Sequence, residues 1–212
     1  MRGEDALSKL PIVAILRGVT PDRVAAIAET LVGLGISAIE VPLNSPQPFE
    51  SIKRLREATG ASCLCGAGTV LRPDDVNRVR DAGGDLIVTP NCDARVIVRA
   101  RTHNMMVMPG FATASEAFAA IDAGATWLKL FPASSYGPSH LKSLRAVLPT
   151  HIRVFAVGGI GADRTAAWAE AGAAGFGFGS ELFKPDYSID EVATRARDLV
   201  ESTRRAMAER NK

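Results

Sequence analysis

Cysteine is scarce. Cys63, Cys65 and Cys92 are the three in a chain of 212 residues, and an odd number without scaffold spacing excludes a disulfide-built domain. Cys63 and Cys65 fall on one face of a strand, and no Cys/His set around them has zinc-site spacing. They read as small apolar core residues in a reducing compartment, with no metal expected. An excess of one charge is also missing. Against 25 Lys+Arg stand 23 Asp+Glu, a formal net charge of +2, which offers no field for nucleic acid or an anionic membrane. No apolar run approaches the roughly 20 residues of a membrane span. The first residues, Met1-Arg2-Gly3-Glu4-Asp5, carry acids and lead into no long apolar stretch, unlike a secretory signal. The expected compartment is therefore the cytoplasm.

What remains is a sequence with 47% hydrophobic and 23% charged residues, the balance of a globular protein, long enough for one domain with a full core. It repeats one rhythm: apolar strand, polar loop, amphipathic helix, glycine stop. Strands are expected at 12–16, 38–43, 63–69, 86–90, 105–109, 127–131, 153–158 and 174–179. Helices are expected near 22–34, 48–58, 74–82, 94–102, 114–123, 139–147 and 164–171, with a short one at 5–9 and a last one over about 190–208. Thr20-Pro21-Asp22 has the cap and first-turn proline of a helix start, and Thr113-Ala114-Ser115-Glu116 spells a capping box. Gly35, Gly83, Gly124 and Gly172 follow helices as C-terminal glycines do. Asp81-Ala82-Gly83, Asp122-Ala123-Gly124 and Glu170-Ala171-Gly172 recur just before a strand, at the period of a βα unit. Strand–helix alternation implies a parallel sheet, and eight units imply a (β/α)8 TIM barrel, a single domain over residues 1–212. An open doubly wound sheet is the competitor. Leu16-Arg17-Gly18-Val19-Thr20 lacks its glycine-rich dinucleotide fingerprint.

Chemistry in such a barrel sits at the C-terminal ends of the strands. Lys129 stands inside the apolar run Trp127-Leu128-Lys129-Leu130-Phe131, sharing a face with Trp127 and Phe131. Burial there lowers an amine's pKa and suits it to attack a carbonyl, unless the lysine is structural and reaches solvent at the strand end. Glu40 stands inside a second apolar strand. The two charges either pair or form a proton-transfer couple. Gly158-Gly159 and Gly179-Ser180 end the last two strands, where barrels commonly bind phosphate through backbone N–H groups, and residues 180–183 fit a short extra helix. Arg17 is a fork donor suited to a carboxylate, free also to pair with Glu40. Thr69 lies on a Gly-x-Gly-Thr loop that lets backbone approach a ligand. Together these residues suggest an imine-forming lysine, an acid that moves protons, and a cradle for a distal phosphate.

The segments Ile39-Glu40-Val41-Pro42-Leu43-Asn44-Ser45-Pro46, Gly66-Ala67-Gly68-Thr69-Val70, Val88-Thr89-Pro90-Asn91, Leu128-Lys129-Leu130-Phe131-Pro132 and Phe155-Ala156-Val157-Gly158-Gly159 resemble, in this order, the KDPG/KHG aldolase family. The resemblance spans about Pro11 to Phe183. It implies cofactor-free, metal-free class I cleavage of a phosphorylated 2-keto-3-deoxy sugar acid to pyruvate and D-glyceraldehyde 3-phosphate. Lys129 would be the Schiff-base residue and Glu40 the general acid/base. Arg17 and Thr69 would hold the pyruvoyl end, and Gly158, Gly159, Gly179 and Ser180 the phosphate. It also implies a homotrimer. In the phosphogluconate enzymes of that family the residue four after the glutamate is usually arginine, and the residue before the paired glycines is usually threonine. Asn44 and Val157 stand at those positions here and are similar to the galactonate branch, the valine removing a hydroxyl that would contact the C4 hydroxyl. A phosphogluconate-type aldolase, a non-covalent phosphosugar epimerase or isomerase, and a non-catalytic binding barrel are the alternatives.

Overall fold

A computed structural model describes residues 2–210, with side chains from residue 6. The strands are β1 (Ile12–Ile15), β2 (Ala38–Pro42), β3 (Leu64–Gly68), β4 (Leu86–Val88), β5 (Met106–Met108), β6 (Gly110–Phe111), β7 (Trp127–Leu130), β8 (Arg153–Val157) and β9 (Gly175–Phe178). All pair in parallel, in the order β5-β4-β3-β2-β1-β9-β8-β7-β6. The two ends of that order, β5 and β6, are one barrel strand interrupted at Pro109. Proline has no N–H to give to the ladder. Its carbonyl still accepts from Lys129 N at 2.8 Å, while Thr89 N donates to Met108 O at 3.3 Å. The barrel is thus nearly closed, and the eight-unit expectation holds with its fifth strand in two pieces.

Helices α1 (Arg2–Lys9), α2 (Pro21–Gly33), α3 (Pro48–Thr59), α4 (Pro73–Asp81), α5 (Ala94–Thr102), α6 (Ala114–Asp122), α7 (Ala133–Tyr136), α8 (Pro138–Arg145), α9 (Thr165–Glu170) and α10 (Ile189–Arg210) join and cover the strands. Their punctuation follows local chemistry. Thr113 and Glu116 close a reciprocal capping box. Gly35, Gly83, Gly124 and Gly172 all take positive φ, and Asn104 does the same after α5 (φ 55°), standing in for the glycine of the repeat. One expectation fails. Residues 180–183 form a turn and not a short helix, with Leu182 N and Phe183 N both donating to Gly179 O. Lys184 precedes Pro185, whose ring disfavours the helical conformation one residue earlier, so the turn does not propagate.

Alternation along each strand builds two cores. Facing the lumen are Val13, Ile15, Leu64, Leu86, Val88, Met108, Phe155 and Val157, with Trp127 and Phe131 packed against them. Facing the helices are Ile12, Ala14, Ile39, Val41, Leu128, Leu130, Phe176 and Phe178. Cys63 and Cys65 both lie in this outer core. Their thiols are free, and burial pushes each up to about 12, which keeps them protonated and inert. Among the described residues no helix is long and apolar enough to cross a membrane.

The lumen is narrow, and glycine makes its packing possible. A Cβ at Gly175 would lie 2.4 Å from the Phe155 ring, and one at Gly66 would lie 1.9 Å from Leu86 O. Gly66→Ala forces the β3–β4 backbones apart, so it should cost about 3 kcal/mol or more. Gly33→Ala meets nothing within 4 Å inside α2 and should stabilise by about 0.5–1 kcal/mol. Chemical denaturation of both variants against the parent checks the opposite signs.

Candidate active site

Glu40 sits in β2 between Ile39 and Val41, whose side chains face the helices, so its own turns into the lumen. Lys129 does the same in β7, between Leu128 and Leu130. In the closed order β2 and β7 stand opposite one another, so the two charges face each other across the lumen. Glu40 is 1% exposed and Lys129 5%. Lys129 Nζ lies over the Phe131 ring, 4.6 Å from its centroid. Trp127, lower on the same face, packs on Phe155 with centroids 5.6 Å apart. The lysine therefore does not reach solvent at the strand end.

Burial sets the electrostatics. It is the largest influence on Glu40 and raises the carboxyl to about 7, against the opposing pulls of Lys129, of Arg17 and of the Gly68 backbone. It is also the largest influence on Lys129 and lowers the amine, with the Glu40 charge acting in the other direction and Arg17 adding to the lowering. The pair forms no direct ion pair. Glu40 Oε2 is buried without a hydrogen-bond partner, and the two groups act on each other through space. The site thus holds a carboxyl and an amine whose ordinary separation of about six pKa units has narrowed from both sides.

Two contributors went unnoticed in the sequence. Gly68 is what admits the Glu40 side chain: a Cβ there would lie 2.0 Å from Oε2. The signal was available, since Gly68 is the register partner of Pro42, one lumen-facing position beyond Glu40. The sequence places Phe131 on the lysine's face, and the structure shows that it supplies the ring against the amine.

At the mouth, three expected residues meet. Arg17 Nη1 donates to Asn44 Oδ1 at 2.5 Å, and its Nη2 lies 3.5 Å from Thr69 Oγ1. The arginine bonds to neither Glu40 nor any other acid, and it leans over the lumen closely enough to act on both buried charges. Thr69 holds the left-handed conformation at φ 57°, a strained geometry for a β-branched residue that turns the loop toward Arg17. Gly18 N donates to Ser45 Oγ at 2.9 Å and ties the first two loops together.

On the other side of the mouth lie the glycine loops. Gly158 and Gly159 take φ of +99° and +69°, which favour glycine, and Gly158 O accepts from Ser134 N at 3.0 Å. Gly179 has open space where a Cβ would stand, and Ser180 is exposed beside it. Register pairs Val157 with Gly177, so these loops leave adjacent strands side by side. Val157 is buried in the lumen wall, two positions beyond Phe155, the register partner of Lys129. All ten expected residues therefore gather at one end of the barrel. Among the described residues no group of three or more His, Cys, Asp or Glu is placed to hold a metal.

The raised carboxyl gives a stability signature. The folded state holds the Glu40 proton until about pH 7, whereas an unfolded chain releases it near 4.5. The favourable contribution is complete below pH 4.5 and is lost as pH rises through 7. Glu40→Gln removes this dependence. The stability of the variant relative to the parent should improve between pH 4 and 8 by up to about 3 kcal/mol. Denaturant titrations at stepped pH measure it, and a flat difference contradicts the burial argument.

Comparison with known proteins gives a consistent result. The family model for KDPG and KHG aldolase matches residues 4–195. The 2-dehydro-3-deoxy-6-phosphogalactonate aldolase of Escherichia coli (strain K12) is 48% identical over 200 residues, covering 94% of this chain and 98% of that one. A solved structure described as native KDPGal superposes with a TM-score of 0.93 at 48% identity, covering 94% of this chain and 97% of that one. A cube-shaped, highly porous cage designed by fusing symmetric oligomeric domains contains a chain that matches with a TM-score of 0.94 at 47% identity, covering 96% of this chain and 75% of that one.

Proposed function

The chain belongs to the KDPG and KHG aldolase family, and from that premise we propose that it cleaves 2-dehydro-3-deoxy-6-phosphogalactonate to pyruvate and D-glyceraldehyde 3-phosphate through an imine on Lys129. The observation that carries the residue roles is the buried pair itself: one carboxyl raised and one amine lowered, facing each other in a lumen closed at the sides.

In this reading the neutral Lys129 amine attacks the C2 ketone, and loss of water gives the protonated imine. Glu40, ionised, accepts the C4 hydroxyl proton. The C3–C4 bond breaks, its electrons pass to the imine as an enamine, and the aldehyde phosphate leaves. Glu40 returns its proton to C3, and water releases pyruvate and the free amine. A carboxyl near pH 7 serves both transfers because neither protonation state is far from equilibrium. Arg17, held by Asn44 and Thr69, offers its guanidinium to the substrate carboxylate. Gly158, Gly159, Gly179 and Ser180 receive the phosphate at the far rim.

Specificity follows from the wall. Val157 presents only methyl groups near the C4 carbon and Asn44 binds Arg17, a combination that suits the galacto epimer and fits the similarity to the Escherichia coli enzyme. The proposal places the enzyme in galactonate breakdown (the De Ley–Doudoroff route) in the cytoplasm. It also makes the protein a homotrimer, and a relative inside a cage of symmetric oligomeric domains supports closed assembly.

Borohydride with pyruvate should attach one pyruvoyl group to the parent and none to Lys129→Ala, whose turnover should drop more than about a thousandfold. Glu40→Gln should still be trapped while turning over slowly. With the two epimeric phosphates assayed separately for pyruvate release, the galacto form should be cleaved faster. Val157→Thr should move that ratio toward the gluco form by roughly ten- to a hundredfold. Equal or faster cleavage of the gluco epimer by the parent contradicts the substrate assignment.

A further inference from the structure

The opposite end of the barrel holds a cavity of about 710 Å³ that the aldol reaction does not use. It opens where β7 and β8 begin, bounded by the end of α1, the chain entering β1, and the last turns of α10. Trp127 lines it, and Trp127 precedes Lys129 by two positions on the same strand, so the cavity lies below the lumen and away from the catalytic mouth.

Its chemistry is one-sided. Lys9, Arg153, Arg204 and Arg210 line it, and among the described residues no aspartate or glutamate does. That is a concentration of positive charge in a protein whose whole net charge is +2. None of the four takes part in an ion pair among the described residues. Arg210 places one N–H on Ala173 O at 2.5 Å and keeps the rest of its fork. The neighbouring Arg145, held to Ile152 O, has its pKa lowered first by burial and then by the charges of Arg210 and Arg153, so these cations lie close enough to act on one another. Between them runs apolar surface from Leu7, Leu10, Trp127 and Met207. The size and the mixture of apolar wall with convergent donors are those of a small-molecule site. Guanidinium forks match phosphate oxygens in pairs, and an indole face accepts a flat ring.

We propose that this cavity is a second binding site, for a small organic phosphate that joins two or more negative charges to an aromatic or apolar body. Arg153 and Arg204 bind the phosphate groups, and Trp127 with Leu10 and Met207 holds the body.

Tryptophan fluorescence tests it directly, because Trp168, the other indole, is completely buried. ADP is the probe. Titrated into the full-length chain, it should change Trp127 emission saturably, and the charge-reversed double variant R153E/R204E should bind at least tenfold more weakly. The double variant should release pyruvate from the sugar phosphate at the parent rate, which verifies its fold, and R153Q/R204Q gives the same comparison without reversed charge. Inorganic pyrophosphate should bind at least tenfold more weakly than ADP, having no body for the apolar wall. The proposal is overturned by no saturable response, by ADP binding parent and variants equally, as it would at the catalytic phosphate loops alone, or by pyrophosphate binding as tightly as ADP.

Discussion

Desolvation of two opposite charges inside one narrow lumen is the constraint on which the rest depends. A parallel barrel has to fill its interior with side chains, and here most are apolar: Val13, Ile15, Leu64, Leu86, Val88, Met108 and Phe155. Into that interior the sequence puts Glu40 and Lys129. The two form no direct ion pair, Glu40 Oε2 has no hydrogen-bond partner, and the Gly68 backbone and the opposing charges do not offset the cost of leaving water, so both move toward their neutral forms. Local packing thus prepares proton transfer. A carboxyl in the ordinary range would be a poor donor at neutral pH, and an ordinary lysine would be a poor nucleophile. The fold supplies the shifts by placing the two residues on facing strands with lumen parity.

The surrounding architecture serves that arrangement. Gly68 leaves the space into which the carboxyl leans, and Phe131 covers the amine. The Lys129 backbone is anchored to Pro109 O, the residue at which the fifth barrel strand breaks in two. Proline interrupts the ladder on its donor side while its carbonyl still fixes the lysine strand. Glycines on β9 give way to Phe155 and Val157 on the neighbouring strand β8, so the bulky residues beneath the site fit without forcing the strands apart. Division of labour follows the barrel axis. The glycine loops and the buried Glu40–Lys129 pair occupy the C-terminal end, and the cations around Trp127 occupy the other.

Much of this was legible in the sequence because it is written in local chemistry. Glycine after a helix, a capping box before one, and apolar runs of strand length mark units that repeat; their alternation implies a parallel sheet, and their number, eight, favours a closed one over the open competitor. Lys129 and Glu40 were visible because a charge inside an apolar strand is costly to bury, and it was the two together in a barrel that outweighed a structural role for either. What stayed hidden involves partners far apart in the chain. Arg17 meets Asn44 and Thr69, 27 and 52 residues away, and nothing near Arg17 excluded a pairing with Glu40 instead. The continuation of strand five past Pro109 was missed because proline signals an end, and only the closed geometry makes Gly110–Phe111 the same strand. The helix expected at residues 180–183 had good local residues but lost to Pro185. The basic cavity draws on several separate segments, which no single stretch could reveal.

The most direct test of this account is a carbon-13 NMR titration of the Glu40 carboxyl in the unliganded protein between pH 4 and 9, assigned through Glu40→Gln and repeated in Lys129→Met. The account predicts a midpoint near 7 in the parent and a higher one once the lysine charge is gone, because that charge favours the ionised carboxylate. A parent midpoint near 4.5, unmoved by loss of the lysine, would mean that the carboxyl is solvated and uncoupled, and would contradict the claim that lumen burial sets the chemistry.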